Sequence, residues 1–93
     1  MTTDFSSIHN HLERAVFAAV LDASASYPQM PSGLLPDVAC VALNRLPSRY
    51  IRHAVDLAFY QTEKERLEND RQVGEAVTFA FEFVQARVAM RAR

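Results

Sequence analysis

The sequence predicts a small, mainly α-helical domain with a short extended segment after its second helix, pairing as a homodimer. Three observations carry that prediction. Apolar residues recur at intervals of three and four along three stretches, which is the period of a helix and not of a strand. Alternation in twos is confined to residues 50 to 60. Two of the helical stretches carry apolar residues on two faces, more than a 93-residue chain can bury within one core of its own.

The first helix is expected from about Ile8 to Ser24. Ile8, Leu12, Ala15, Val16, Ala19 and Ala23 line one face, while Phe17 and Leu21 fall on nearly the opposite side. Asp4, Ser6 and Ser7 are candidate N-caps, and the small polar run "SASYPQMPSG" ends the helix in a loop. The second helix should open near Pro36, which suits a first helical position, with Asp37 beside the positive end of the dipole. Pro47 stops it. Val38, Ala39, Cys40, Val41, Ala42, Leu43 and Leu46 surround it with apolar side chains, so it is expected to be the central buried helix, with Asn44 and Arg45 at its polar exit.

Residues 50 to 60, "YIRHAVDLAFY", fit two periods. Ile51, Val55, Leu57 and Phe59 alternate as in a strand, whereas Tyr50, Ala54 and Ala58 also suit a helix; an extended segment is the expectation. It should end at "TEKE", Thr62 to Glu65, a capping box that starts a new helix. From Glu63 two stripes follow, one through Leu67, Asp70, Gly74, Val77, Phe81, Val84 and Val88, the other through Val73, Ala76, Ala80 and Phe83. A helix running unbroken to Met90 would be about 42 Å long against a radius of gyration of about 12 Å for a compact domain of this size. It must project, bend at Gly74, or pack against another chain.

Composition narrows the function. Hydrophobic residues are 49% and charged ones 23%, the balance of a globular domain, here a single one spanning 1–93. A formal net charge of -1 argues against coating a duplex, so no direct nucleic-acid binding is expected. The opening "MTTDFSSIHNHLERAV" lacks a basic run followed by an apolar one, and no window approaches the ~18 apolar residues of a membrane span. A cytoplasmic protein without membrane contact is expected. Cys40 is the single cysteine, and its apolar neighbours suggest a buried packing residue.

Catalytic and metal chemistry find little support. His9 and His11, two apart on a helix, point in different directions and have no third ligand nearby, so no metal site is expected. The carboxylates show no acid and base pairing, Gly33 and Gly74 make no glycine-rich loop, and no serine occupies a nucleophile elbow. No enzymatic activity and no cofactor are expected. "NRLPSRYIRH" differs in kind: Arg45, Arg49 and Arg52 recur beside Tyr50 and His53. Arginine's planar fork suits bidentate contact with phosphate or a guanine edge, and a tyrosine ring can stack on a base. Residue chemistry alone favours the plainer reading, in which the same arginines pair with Asp37, Asp56 or the glutamates on the surface, each pair worth ~0–1 kcal/mol.

"VALNRLPSRYI" resembles the signature of the ComFB family, the late competence development proteins, in which a helix carrying A-L-N-[RK]-L-P precedes a basic residue, a tyrosine and a β-branched residue. "IHNHLERAV" is similar to that family's opening helix, and Asp37 matches the aspartate that opens its second. The resemblance covers about residues 8 to 88. It implies a helical, dimeric, cytoplasmic protein and, for some members, binding of cyclic di-GMP. Members of the competence branch hold a structural zinc through cysteines in the loop before the second helix. Here that loop reads "SASYPQMPSGLLPD", so no zinc is expected and Tyr27, Met30, Leu34 and Leu35 are expected to fill the space.

The leading expectation is therefore a non-enzymatic signalling module binding cyclic di-GMP through Asn44, Arg45, Arg49, Tyr50 and Arg52, with Tyr50 stacking, and passing its signal to a downstream protein. The alternative is a dimeric helical adaptor that binds a protein partner without a nucleotide.

Overall fold

The structure, a computed structural model, describes residues 2–53 and 61–91. Among them are three α-helices, α1 (Glu13–Ala23), α2 (Leu35–Arg45) and α3 (Glu63–Arg91), and two short strands, β1 (His9–Asn10) and β2 (Tyr50–Ile51). The strands pair antiparallel, His9 opposite Ile51 and Asn10 opposite Tyr50. The three helices pack mutually. The mainly helical class and the extended start of the segment after α2 are as the sequence predicts; the remainder of that segment, residues 54–60, lies outside the described residues.

Helix α1 starts later than its apolar stripe suggests. Residues 9 and 10 are taken by the pairing with β2, and Ile8 is left exposed. None of the expected caps is used. Leu12 occupies the cap position without a side-chain bond, Asn10 Oδ1 accepts from its amide at 3.2 Å, and Asp4 instead accepts from the amide of Ser6 at 2.8 Å. The buried face is Leu12, Val16 and Val20, with Ala19 and Ala23 partly covered and Ala15 exposed. Phe17 and Leu21 stand outside the core, 48% and 65% exposed.

Helix α2 begins with Pro36 in its first turn and ends where Pro47 forces its neighbour out of helical geometry: Leu46 has ψ 146°. It is not buried all round. Val38, Ala39, Ala42 and Leu46 face the core, but Cys40 is exposed. Two positions along a helix turn a side chain through about 200°, so the burial of Val38 places Cys40 on the far side.

The loop between these helices makes two short 3₁₀ turns, Ser24–Ser26 and Ser32–Leu34, and is pinned from within. Tyr27, Met30, Leu34 and Leu35 pack partly buried on the core, and the Tyr27 ring stacks on Phe81 with centroids 4.3 Å apart and planes within 5°.

Helix α3 starts as its capping sequence predicts, with the Glu65 amide donating to Thr62 Oγ1 at 3.1 Å. Its 29 residues run through Gly74 without a break, about 43 Å at the usual rise, in a molecule 50 × 40 × 19 Å. It projects. The two expected stripes prove to be one buried face of Val73, Ala76, Val77, Ala80, Phe81 and Val84. Leu67 and Val88 lie beyond the reach of α1 and α2 and are exposed, and Phe79 and Phe83 turn outward, their rings stacked at 5.8 Å. The first third of α3, before Val73, has no buried residue. Arg66 there pairs with Glu63 at 2.5 Å and Asp70 at 3.7 Å, and Arg71 with Glu68 and with Glu75 at 2.6 Å. Such exposed i,i+3 and i,i+4 pairs support the helix rather than the tertiary fold.

Candidate functional site

The basic segment after α2 is held from both sides of its chain. Leu46 is buried and anchors the helix end, after which residues 47–49 have no regular structure. The Arg49 amide donates to Asn10 Oδ1 at 3.4 Å. The Arg49 carbonyl accepts twice, from the His11 amide at 3.0 Å and from His11 Nδ1 at 3.1 Å. Asn10, 7% exposed, is the buried polar residue of the described chain, and both hydrogen bonds it accepts are to backbone amides. Arg52 Nε donates to Ser7 Oγ at 3.2 Å, a second tie from the N-terminal segment.

The five residues singled out in the sequence do not converge on one point. Asn44 and Tyr50 line a groove of about 700 Å³ between α1 and α2, together with Asn10, Glu13, Phe17 and Leu43. Tyr50 is 67% exposed there, and the Asn44 amide leans on Cys40 Sγ at 3.7 Å. Arg45 turns the other way, toward α3. Its guanidinium lies over the Phe79 ring, 3.8 Å from the centroid, in a smaller hollow of about 270 Å³ that includes Pro47, Arg71 and Glu75. Stacking occupies the face of the guanidinium and leaves its in-plane N–H donors at the edge. Arg49 and Arg52 are exposed and line neither surface.

The ion pairs among the described residues use Arg66 and Arg71 alone. Arg45, Arg49 and Arg52 therefore have no carboxylate at ion-pairing distance among those residues; Asp56, one of the candidate partners, lies outside them. The hydrogen bonds from Arg66 and Arg71 hold the Glu63 and Glu68 carboxyls below the ordinary range, with charge attraction adding to the effect. Among the described residues no three of His, Cys, Asp and Glu gather as metal ligands, and His9 Nδ1 is engaged with the Ser7 carbonyl at 3.0 Å. No helix in those residues is long and apolar enough to cross a membrane.

Sequence reasoning missed Asn10, Glu13 and His11 as parts of this region. Their link to Arg49 and Tyr50 spans some forty positions, and no local period reports it. Phe17 was visible as the off-stripe residue of the first helix, and Cys40 was hidden by apolar neighbours on both sides in sequence.

Fold and site together define a small helical domain whose basic segment is fastened to its own N-terminus beside an open apolar groove. The chain belongs to the ComFB family: the model of the late competence development protein ComFB matches it over residues 9–88. No curated protein and no solved structure matches it.

Proposed function

We propose that the protein is a non-enzymatic, homodimeric signalling module of the cytoplasm that binds cyclic di-GMP at the exit of α2. The observation that carries this reading is the state of the arginines. Arg45, Arg49 and Arg52 stand at a backbone held by the core, without a carboxylate partner among the described residues, whereas Arg66 and Arg71 each carry two. Arg45 and Arg49 so placed retain the fork for a phosphate or a guanine edge, and Arg52, whose Nε donates to Ser7 Oγ, keeps its two terminal nitrogens. Tyr50, exposed at the rim of the apolar groove, supplies a face on which a base stacks. The split of the site also suits a ligand of two halves, with Arg45 on one side of the α2 exit and Tyr50 on the other. Phe17 and Leu21 on α1 and Phe79 and Phe83 on α3 support the dimer, since these exposed apolar residues find cover most economically on a second copy.

The apolar groove is the specific observation favouring the adaptor reading, because Phe17, Leu21 and Leu43 would equally receive the apolar face of a partner helix. Calorimetry separates the two. Cyclic di-GMP should bind the unmutated chain, and Arg45→Ala or Arg49→Ala should weaken it roughly ten- to a hundredfold, the loss of one charge-assisted contact of ~1.5–3 kcal/mol. Lysine at either position should restore little. A flat titration up to about a hundred micromolar ligand, a range that detects even weak binding, replaces the receptor reading with the adaptor.

A further inference from the structure

The N-terminal segment does more than close the fold. Among the described residues, every long-range hydrogen bond of residues 7 to 11 goes to one stretch, the basic segment of residues 49 to 52. Arg49 lies in a run with no regular structure of its own, so without a tether its peptide would be ordered only when a ligand bound. Asn10 Oδ1 holds its amide, and His11 holds its carbonyl with two donors, its own amide and Nδ1. The histidine is an expensive way to fill that space. With Nδ1 donating, the neutral ring leaves Nε2 as an acceptor, and Nε2 is buried with no hydrogen-bond partner among the described residues. A leucine would pack there without an orphaned nitrogen. What the histidine adds is the Nδ1–H on the Arg49 carbonyl.

We propose that Asn10 and His11 are positioning residues for the anion-binding segment: they fix the peptide of Arg49 so that its guanidinium is presented in one arrangement before ligand arrives. This rests on the reading of the α2 exit as a cyclic di-GMP site. Asn10 also serves the Leu12 amide at the start of α1, so His11 is the cleaner position to perturb.

The test uses the full chain with four variants, His11→Ala, His11→Asn, Asn10→Ala and Asn10→Asp. Asparagine at position 11 presents a side-chain N–H where Nδ1–H lies, and aspartate at position 10 retains the acceptor. Two quantities are read, exchange of the Arg49 amide without ligand and affinity for cyclic di-GMP by calorimetry. His11→Ala and Asn10→Ala should speed Arg49 exchange and weaken binding roughly three- to tenfold, the worth of one hydrogen bond, with helical circular dichroism retained. His11→Asn and Asn10→Asp should recover most of both. If the unmutated chain binds and His11→Ala binds equally well, or His11→Asn restores nothing in a folded protein, the inference falls and the receptor reading stands. If Arg49 exchange is unchanged in both alanine variants, the tether is refuted without reference to any ligand. If the unmutated chain binds no cyclic di-GMP, the receptor reading falls and the positioning role falls with it.

Discussion

Replacing Tyr27 by alanine tests what holds the loop between α1 and α2. That loop has no cysteine, and in its place the Tyr27 ring lies flat on Phe81, which is fully buried at the centre of the core. An aromatic side chain buries about 150–250 Å², and losing half of the lower figure at ~25 cal/mol per Å² costs about 2 kcal/mol. The stacked pair contributes ~0.5–1.5 kcal/mol beyond its area. Tyr27→Ala should therefore lose about 2.5–3.5 kcal/mol, a large part of the ~5–15 kcal/mol available to a domain. For a chain of this length a loss of 1 kcal/mol lowers Tm by ~4–8 °C, so the expected fall is about 10–28 °C. Tyr27→Leu keeps much of the apolar contact and removes the stack, and should fall by a few degrees. Thermal melts followed by circular dichroism, with and without a chelator, read both effects. The chelator should leave the unmutated Tm where it was. A Tyr27→Ala variant within about 3 °C of the parent, or a chelator-induced drop reversed by zinc, would refute the claim that aromatic packing holds this loop.

A Cβ at Gly74 meets nothing within 4 Å, so Gly74→Ala should raise stability by the ~1 kcal/mol of helix propensity it restores; a lower Tm that depends on protein concentration would instead mark a second chain crossing at Gly74. Acidification should unravel the start of α3 first. The folded carboxyls of Glu63 and Glu68 titrate below their ordinary 4.5, so their contribution is complete above that value and is lost as pH falls through the depressed values. Amide exchange across residues 63–72 should rise below pH 4.5 before the core residues of α3 respond, and simultaneous loss would contradict this. Sedimentation at micromolar concentration should give twice 10.5 kDa, with Phe17→Ser and Leu21→Ser shifting the chain toward monomer; a monomeric parent would remove the dimer.

The elements that could be read from the sequence are those whose signals act within a turn of the residues that carry them. Pro36 and Pro47 bracket α2 because proline restricts its own φ and its predecessor's conformation. Thr62 announces α3 because its hydroxyl reaches an amide three residues on. The alternation that begins at Tyr50 likewise marked an extended start at Tyr50 and Ile51, though not the strand it pairs with. What only the tertiary structure decided depends on contacts between distant positions. Asn10 leaves the first helix to pair with Tyr50, its amide oxygen accepting from the Leu12 amide at the start of α1 and from the Arg49 amide 39 positions away. The two stripes of α3 collapse into one buried face because α1 and α2 cover only one side of it, and Cys40 is exposed because Val38 faces the core. The arginines form one cluster in sequence, yet Arg45 is drawn to the Phe79 ring on α3 while Tyr50 is held opposite Asn10 on β1. Local stereochemistry sets where helices start and stop; which face is buried, and which side of a helix end a charge occupies, is set by the partner that packs there.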